Sequence, residues 1–335
     1  MPVAAVTFAF LDDLHLEIRG SQRTLHHYRA EYGRGGSAPV ADPEVLIAFQ
    51  RRLPGVGACF GGAHKGLKWR VELADPAAAS LRAAIALRGE PRSFGLSLLQ
   101  GYVIEPLLAL LAPAANHVLL PAAAIAPNRG AILLIGRSRS GKSSLSARAA
   151  TEGIPVLGDD HVLVGRDGTC RSFPRRLRLY TDLQETAPHA YRSLPRSQRV
   201  LLATFRVLRA VTRGAVAPPL RVPIEALGPV ARDTLPLGLV VVIERGDNGR
   251  LERSDLDSKA LVEVASMILR EQRTALLRVP DPVWAERLDE VQRNEAQLLQ
   301  TAFAGVRSAL RLTVPTAWDA RRAVGELADA LDTLR

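Results

Sequence analysis

Lysine is nearly absent from this chain: Lys65, Lys68, Lys142 and Lys259 are the only four, although lysine and arginine together number 44. The net charge of +10 therefore rests on arginine. Cysteine is as scarce. Cys59 and Cys170 cannot build a disulfide framework, and neither belongs to a cluster with metal-site spacing. No charged-then-apolar leader opens the sequence at Met1, so a reducing, cytoplasmic setting is expected. The most apolar run, roughly residues 98–111, holds Gln100 and Glu105 and falls short of the ~20 residues that span a bilayer. It reads as a buried helix, with no membrane partner. Aromatic residues make up 5%, too few for interleaved stacking platforms, so nucleic acid is not the expected partner.

What is present supports a folded protein. A hydrophobic content of 47% over 335 residues fills one large core or two modest ones. Arginine is concentrated between Arg171 and Arg213, where ten stand against Asp182 and Glu185, a net +8. Such a field attracts an anion, whether nucleotide or acidic peptide, or it is a solvated helical face.

Residues 1–115 mix β-like runs such as Val3 to Phe10 with helical patterns at Val45 to Leu53 and Ala77 to Ala86. Residues 33–37 read as a flexible loop, and the Gly-rich stretch from Gly55 to Gly66 as a structural one. Beyond residue 116 the pattern is α/β. Strands are expected at Ala131 to Ile135, Ile154 to Leu157, Val162 to Val164, Leu237 to Ile243 and Leu310 to Val314. Helices are expected at Ser143 to Thr151, Leu194 to Val211, Asp255 to Arg270, across most of 282–310, and at Ala317 to Leu334. The expected division is a mixed α+β region over 1–115 and an α/β domain with a helical C-terminal extension over 116–335. The first is a candidate for acceptor binding or self-association into a homo-oligomer.

The chemistry gathers at Gly136-Arg137-Ser138-Arg139-Ser140-Gly141-Lys142-Ser143. This stretch satisfies G-x-x-x-x-G-K-[ST] at every fixed position and lies between a strand and a helix, as a phosphate-binding loop must. Backbone N–H groups from Gly136 through Ser144 would ring the phosphates at the positive end of the helix. Lys142 would reach the β and γ phosphates of ATP, and the Ser143 hydroxyl would ligate Mg2+. Arg137 and Arg139 occupy variable positions and either supply an extra cation or point to solvent. Seventeen residues after Lys142 comes Asp159-Asp160, expected at the carboxyl end of a strand next to the loop strand, where α/β sheets bind ligands. Two carboxylates there can share the work of a base and of a metal-associated group.

The segment AILLIGRSRSGKSSLSARAATEGIPVLGDDHVLV, residues 131–164, resembles the catalytic domain of HPr serine kinase/phosphorylase and its shorter kinase-like relatives. Some of those relatives tailor ribosomally made peptides such as lasso precursors. Weaker similarity runs over roughly 97–245. The resemblance implies a P-loop, HPr-kinase-like catalytic domain. It also implies transfer of the γ-phosphoryl of ATP, with Mg2+, to a serine hydroxyl of a peptide or small protein. Carried over by position, Asp159 is the base, Asp160 the metal-associated carboxylate, and Lys142 and Ser143 hold phosphate and metal; the two aspartates can be exchanged in this assignment. Three departures stand out. Pro121 occupies the place, fifteen residues before Gly136, where the family often has histidine; Arg139 replaces a loop glycine; and Glu225-Ala-Leu-Gly228 only echoes the family's Glu-x-x-Gly-x-Gly. They argue against a reverse phosphorylase reaction and against HPr as acceptor. His117 and His161 read as structural histidines. A nucleotide-binding regulator without transfer, and a kinase of free serine or another small molecule, are the alternatives.

Overall fold

The computed structural model describes residues 4–33, 42–75, 77–128, 130–214, 216–231 and 234–334. The protein is a mixed α/β molecule with two mixed β-sheets and interspersed helices. It divides into Met1–Leu119 with Ser266–Leu299, and Leu120–Ala265 with Gln300–Arg335. The segment Ser266–Leu299 thus groups with the N-terminal region, although it follows the phosphate-loop sequence in the chain. Of the expected loop at 33–37, all but Gly33 lies outside the described residues.

In the first unit, β1 (Ala5–Leu11) and β2 (Leu14–Arg19) form a hairpin in which Leu11 faces Leu14 across Asp12-Asp13. The Ser21 hydroxyl accepts from the Thr24 N–H and starts α1 (Gln22–Tyr32). That helix buries Tyr28 and Tyr32, the latter edge-on to Phe8 at 5.4 Å. Next come β3 (Val45–Phe49), β4 (Ala58–His64), β5 (Leu67–Leu73) and β6 (Leu81–Arg88), and the sheet order is β1-β2-β3-β6-β5-β4. The helices expected at 45–53 and 77–86 are therefore strands. β3 is paired in parallel on both sides, and β6 lies between β3 and β5. Interior pairing of this kind overrides the helical preference of an alanine-rich run such as LRAAIALR. The Gly-rich stretch is mostly β4, whose Gly61 and Gly62 lie against Trp69 of β5.

α2 (Arg92–Leu99) continues through a π-helical turn, Gln100–Ile104, into α3 (Glu105–Leu111). The whole run, Arg92–Ala115, passes the length and composition test for a bilayer-spanning helix, which the shorter apolar stretch at 98–111 does not. It is a core helix: Glu105 is buried and accepts from Gln100 Nε2 at 2.9 Å and from the Tyr32 hydroxyl at 3.1 Å. The division between the two units falls inside β7 (His117–Leu120).

The second unit contains β8 (Ala122–Ile125), β9 (Ala131–Gly136), α4 (Lys142–Thr151), β10 (Val156–Gly158), β11 (Val162–Gly165), β12 (Thr169–Ser172) and β13 (Leu177–Leu179). Then follow α5 (Leu183–Thr186), α6 (Pro188–Ser193), α7 (Arg196–Val211), β14 (Leu220–Val222), β15 (Leu235–Gly246) and β16 (Glu252–Asp255). α8 (Ser258–Gln272) and α9 (Pro282–Ala304) hold most of the Ser266–Leu299 segment that groups with the first unit, and β17 (Ser308–Pro315) and α10 (Ala320–Asp332) complete the second. β9, β15 and β17 are parallel neighbours, with Gly136 in register with Ile243 and Ile243 with Leu312. β8 runs antiparallel to both β9 and β10, so β9 and β10 point the same way and end on the same edge. The strand expected at Leu310 to Val314 is β17, which joins the sheet beside β15. A core joins Leu134, Val241 and Leu312 of the sheet to Leu145 of α4 and to Val324 and Leu327 of α10.

In the first unit, Arg273 and Glu295 form a fully buried bidentate pair, with Arg273 Nη1 donating to Glu295 Oε2 at 2.7 Å and Nη2 to Oε1. Arg287 Nη1 donates to the Ala78 carbonyl at 2.7 Å. Removing one member of a buried pair strands the other charge. Arg273→Leu is expected to destabilise the fold by about 3–5 kcal/mol, read as a lowered denaturation midpoint. The double replacement Arg273→Leu/Glu295→Leu is expected to recover most of the loss.

Candidate functional site

The loop after β9 is shaped by two glycines. A Cβ on Gly136 would lie 2.6 Å from the Ile243 carbonyl oxygen, and Gly141, with φ of 102°, caps α4 in a conformation that disfavours side chains. The Leu145 N–H donates to the Gly141 carbonyl at 3.0 Å as the helix begins. This leaves the first-turn amides directed at the loop, the arrangement that binds anions. Arg139 also has positive φ, 69°, which explains why a glycine suits its place. Arg137, Ser138 and Arg139 are exposed, Ser140 is buried and Ser143 half-buried. Ser144 turns away from the loop and donates to Thr186 Oγ1 at 3.0 Å.

Lys142 is buried and folds back along the loop. Its Nζ donates to the Gly136 carbonyl at 2.5 Å, the Arg137 carbonyl at 3.0 Å and Ser140 Oγ at 3.3 Å. Burial pulls its pKa down, and the charges of Asp160 and Asp159 oppose that shift.

Asp159 and Asp160 stand in the turn from β10 to β11. The turn is tight: a Cβ on Gly158 would lie 2.4 Å from the His161 carbonyl oxygen. β10 is not the neighbour of the loop strand, because β8 intervenes, yet both carboxyl ends share one edge. Pro121 sits on that edge, just before Ala122 pairs with Ile135. The two carboxylates differ. Asp159 is 4% exposed, and the Ser143 hydroxyl approaches it without closing a well-formed hydrogen bond on either oxygen. Burial and then the Asp160 charge push its pKa up to about 7, against the Ser143 hydroxyl, Lys142 and Arg175. Asp160 is 30% exposed and its Oδ2 meets Arg175 Nη1 at 3.3 Å and Arg178 Nη1 at 3.4 Å. Burial works to raise its pKa as well, but Arg175 leads a group of cations that holds it below the usual carboxylate value.

Four contributors escaped the sequence reading: Arg175, Arg178, Tyr180 and Arg221. Arg175 Nη1 also donates to His161 Nδ1 at 2.7 Å, which requires that ring nitrogen to be unprotonated. His161 is therefore a support for Arg175. Tyr180 feels both aspartates: burial and then their charges raise its pKa, while Arg175 and Arg139 oppose. Arg178 and Tyr180 lie two residues apart at the end of β13, the spacing that sends side chains to one face. That alternation in RSFPRRLRLY was the available signal. Elsewhere, His117 Nδ1 bonds the Ala115 carbonyl at 2.6 Å, a local contact. Gly228 of the Glu225 segment packs against Ala150, at the far end of α4 from the loop.

Ser143, Asp159 and Asp160 form an oxygen-only donor set, and no cluster of three His, Cys, Asp or Glu exists among the described residues. Hard divalent cations such as Mg2+ accept one or two carboxylates and complete their shell with phosphate and water. Asp160, part-exposed and held in its charged form, fits that need beside the Ser143 hydroxyl in the sequence-predicted role of metal-associated carboxylate. No protein-family model matches the chain, and no curated protein matches it.

An aspartate whose folded pKa lies near 7 rather than at the unfolded ~3.9 holds its proton longer in the folded state, so stability falls as pH rises from about 4 to about 7. Asp159→Asn removes that penalty. It is expected to stabilise the ligand-free fold by a few kcal/mol at pH 8, about 1.4 kcal/mol for each tenfold difference in proton affinity, and little at pH 4. Thermal melts at the two pH values measure it. Arg139→Gly should raise the melting temperature slightly, since left-handed backbone costs a non-glycine residue about 1 kcal/mol.

Proposed function

We propose that the protein is an ATP-dependent kinase of the HPr serine kinase/phosphorylase type, acting on a serine hydroxyl of a peptide or small protein. The observation that carries this reading is the meeting on one sheet edge of the Lys142 loop and a buried Asp159 carboxylate with no well-formed hydrogen bond on either oxygen. On this reading the loop amides and Lys142 hold the phosphates of ATP, which requires Lys142 to leave the Gly136 and Arg137 carbonyls. Ser143 and Asp160 would hold Mg2+, which would supply charge neutralisation on the phosphates. Asp159 takes the proton of the serine hydroxyl; a pKa near 7 suits a general base at neutral pH. The seryl oxygen bonds to the γ phosphorus, the bond to the β–γ bridging oxygen breaks, and ADP leaves with that electron pair. Asp160, kept ionised by Arg175 and Arg178, takes no part in the proton transfer.

Pro121 offers no titratable group on the edge between β9 and β10, which supports transfer toward the acceptor without a phosphorylase reaction. Cys59 and Cys170 are free thiols, in keeping with a reducing cytoplasm. A regulator that binds nucleotide without transfer is the second reading, favoured by the Lys142 bonds to its own loop.

Labelled ATP with Mg2+ and seryl peptides separates the two readings. Asp159→Asn is expected to lower turnover about 10²–10⁴-fold while ATP affinity is retained, because a base acts on the reaction and not on nucleotide binding. Lys142→Ala should weaken ATP binding itself. ATP binding without transfer to any seryl acceptor rejects the kinase.

A further inference from the structure

A groove of about 490 Å³ opens between α5 and the C-terminal half of α7, within the size range of ligand clefts. Its two walls carry opposite charge. Arg206 and Arg209 stand on the side of α7 that carries the buried Leu202, and Arg213 follows just past the helix end. At 100° per residue the three lie within about 60° of one another. Asp182 and Glu185, at the start of α5, line the other wall. Arg206 Nη2 donates to the Thr181 carbonyl at 3.2 Å and to Gln184 Oε1 at 3.1 Å, and Arg209 Nη1 to the Thr181 hydroxyl at 3.2 Å. These acceptors are neutral, and among the described residues no ion pair crosses the groove. Opposite charges thus face each other with room between them.

The groove adjoins the candidate site along one short segment. Tyr180, which feels the charges of both aspartates, directly precedes Thr181. Thr186, at the end of α5, accepts from the hydroxyl of Ser144 in the first turn of α4. The acidic wall is therefore tied at both ends to the elements that carry the phosphate loop and the acidic pair. From Arg206 to Arg213 the cationic wall is about 10 Å long, the length of about three residues of extended chain. Successive side chains of an extended chain point to opposite sides, so a segment lying in the groove turns alternate residues to α7 and to α5.

We propose that this groove binds an extended segment of the phosphoryl acceptor in which acidic and basic residues alternate, the acids against Arg206, Arg209 and Arg213 and the bases against Asp182 and Glu185. A single exposed ion pair is worth little, so the groove reads the alternation, which satisfies both walls at once, and not the net charge. A nucleic acid or an anionic lipid surface is disfavoured because Asp182 and Glu185 would face its phosphates. The kinase reading supplies only the identity of the partner as acceptor; the binding itself is independent of it.

The test uses the full chain without nucleotide at low ionic strength, where exposed charges are least screened. The probes are fluorescein-labelled peptides of about 12 residues that carry one serine and a Glu-Lys-Glu-Lys block, placed before the serine in one version and after it in another. Controls of the same composition carry Glu-Glu-Lys-Lys. By anisotropy at least one alternating peptide is expected to bind more tightly than its grouped control. Arg213→Glu and Glu185→Arg change side chains that make no hydrogen bond or ion pair among the described residues, and circular dichroism melts verify that both variants fold. Each is expected to weaken binding of the alternating peptide about fivefold. Glu185→Arg should also invert the preference, so that a block of four glutamates binds better than the alternating one. Failure of both alternating peptides to bind, equal binding of the grouped controls, or no effect of either variant overturns the proposal. So does binding of a single-stranded oligonucleotide or of phosphatidylserine vesicles that Arg213→Glu abolishes while the peptides do not bind. Binding of the alternating peptide without transfer from labelled ATP to any seryl peptide overturns the kinase reading alone. Transfer that is equally efficient to alternating and grouped peptides overturns the groove alone.

Discussion

Two adjacent carboxylates drawn out of water are the condition that the functional edge of the second unit has to satisfy. An isolated buried carboxylate is unstable by several kcal/mol, and a second negative charge beside it adds to that. The protein resolves the pair unequally. Asp160 receives Arg175 and Arg178 at ion-pair distance and stays charged. Asp159 receives no ion pair and no well-formed hydrogen bond, and answers by holding its proton to a higher pH. A fold built for stability alone would have closed a bond onto Asp159 or placed an apolar side chain there. Buried groups left unsatisfied in this way concentrate where a ligand or a reaction completes them.

The backbone delivers that arrangement through the sheet. Because β8 reverses direction twice over, against β9 and against β10, the Gly136 loop and the Asp159 turn emerge side by side although a strand separates their own. Glycine is needed at both exits for the same reason: Gly136 passes the Ile243 carbonyl and Gly158 passes the His161 carbonyl too closely for a side chain. Lys142 joins the two, bonded to the loop by its ammonium and coupled to the aspartates by charge. Arg175 reaches the turn from beyond β12, steadied by His161, so one histidine and one arginine fix the geometry of the acidic pair from its far side.

The second unit was largely legible because its signals are local. A glycine-bounded lysine after an apolar strand, and a second apolar run ending in Asp-Asp, specify themselves within a few residues. The strands of β9, β15 and β17 read as apolar runs for the same reason. What escaped depends on partners distant in sequence. LRAAIALR looks helical until it is paired on both edges, and Ala122–Ile125 is too short and too rich in alanine to announce the strand that lies between the loop and the acids. Arg175 and Arg178 looked like members of a diffuse basic field and Arg221 lay beyond it, and only pairing of β13 with β14 brings Arg178 and Arg221 opposite each other.

That pairing also accounts for the choice between the two basic residue types. Arginine does not lose its proton inside a protein, so Arg175, Arg178 and Arg221 act as permanent charges and hold Asp160 ionised across the physiological range. Lysine can lose its proton when buried, and the pKa of Lys142 is already drawn down. In a chain with four lysines, one stands where the neighbouring acid, Asp159, has its pKa drawn up. Lys142 and Asp159 are thus two groups at this edge whose charged forms burial opposes, beside arginines whose charge is permanent. An incoming phosphate would favour the charged lysine, and an incoming cation the charged aspartate. Ligands of those two kinds thus act on these two groups, whose ordinary ionisation the fold opposes.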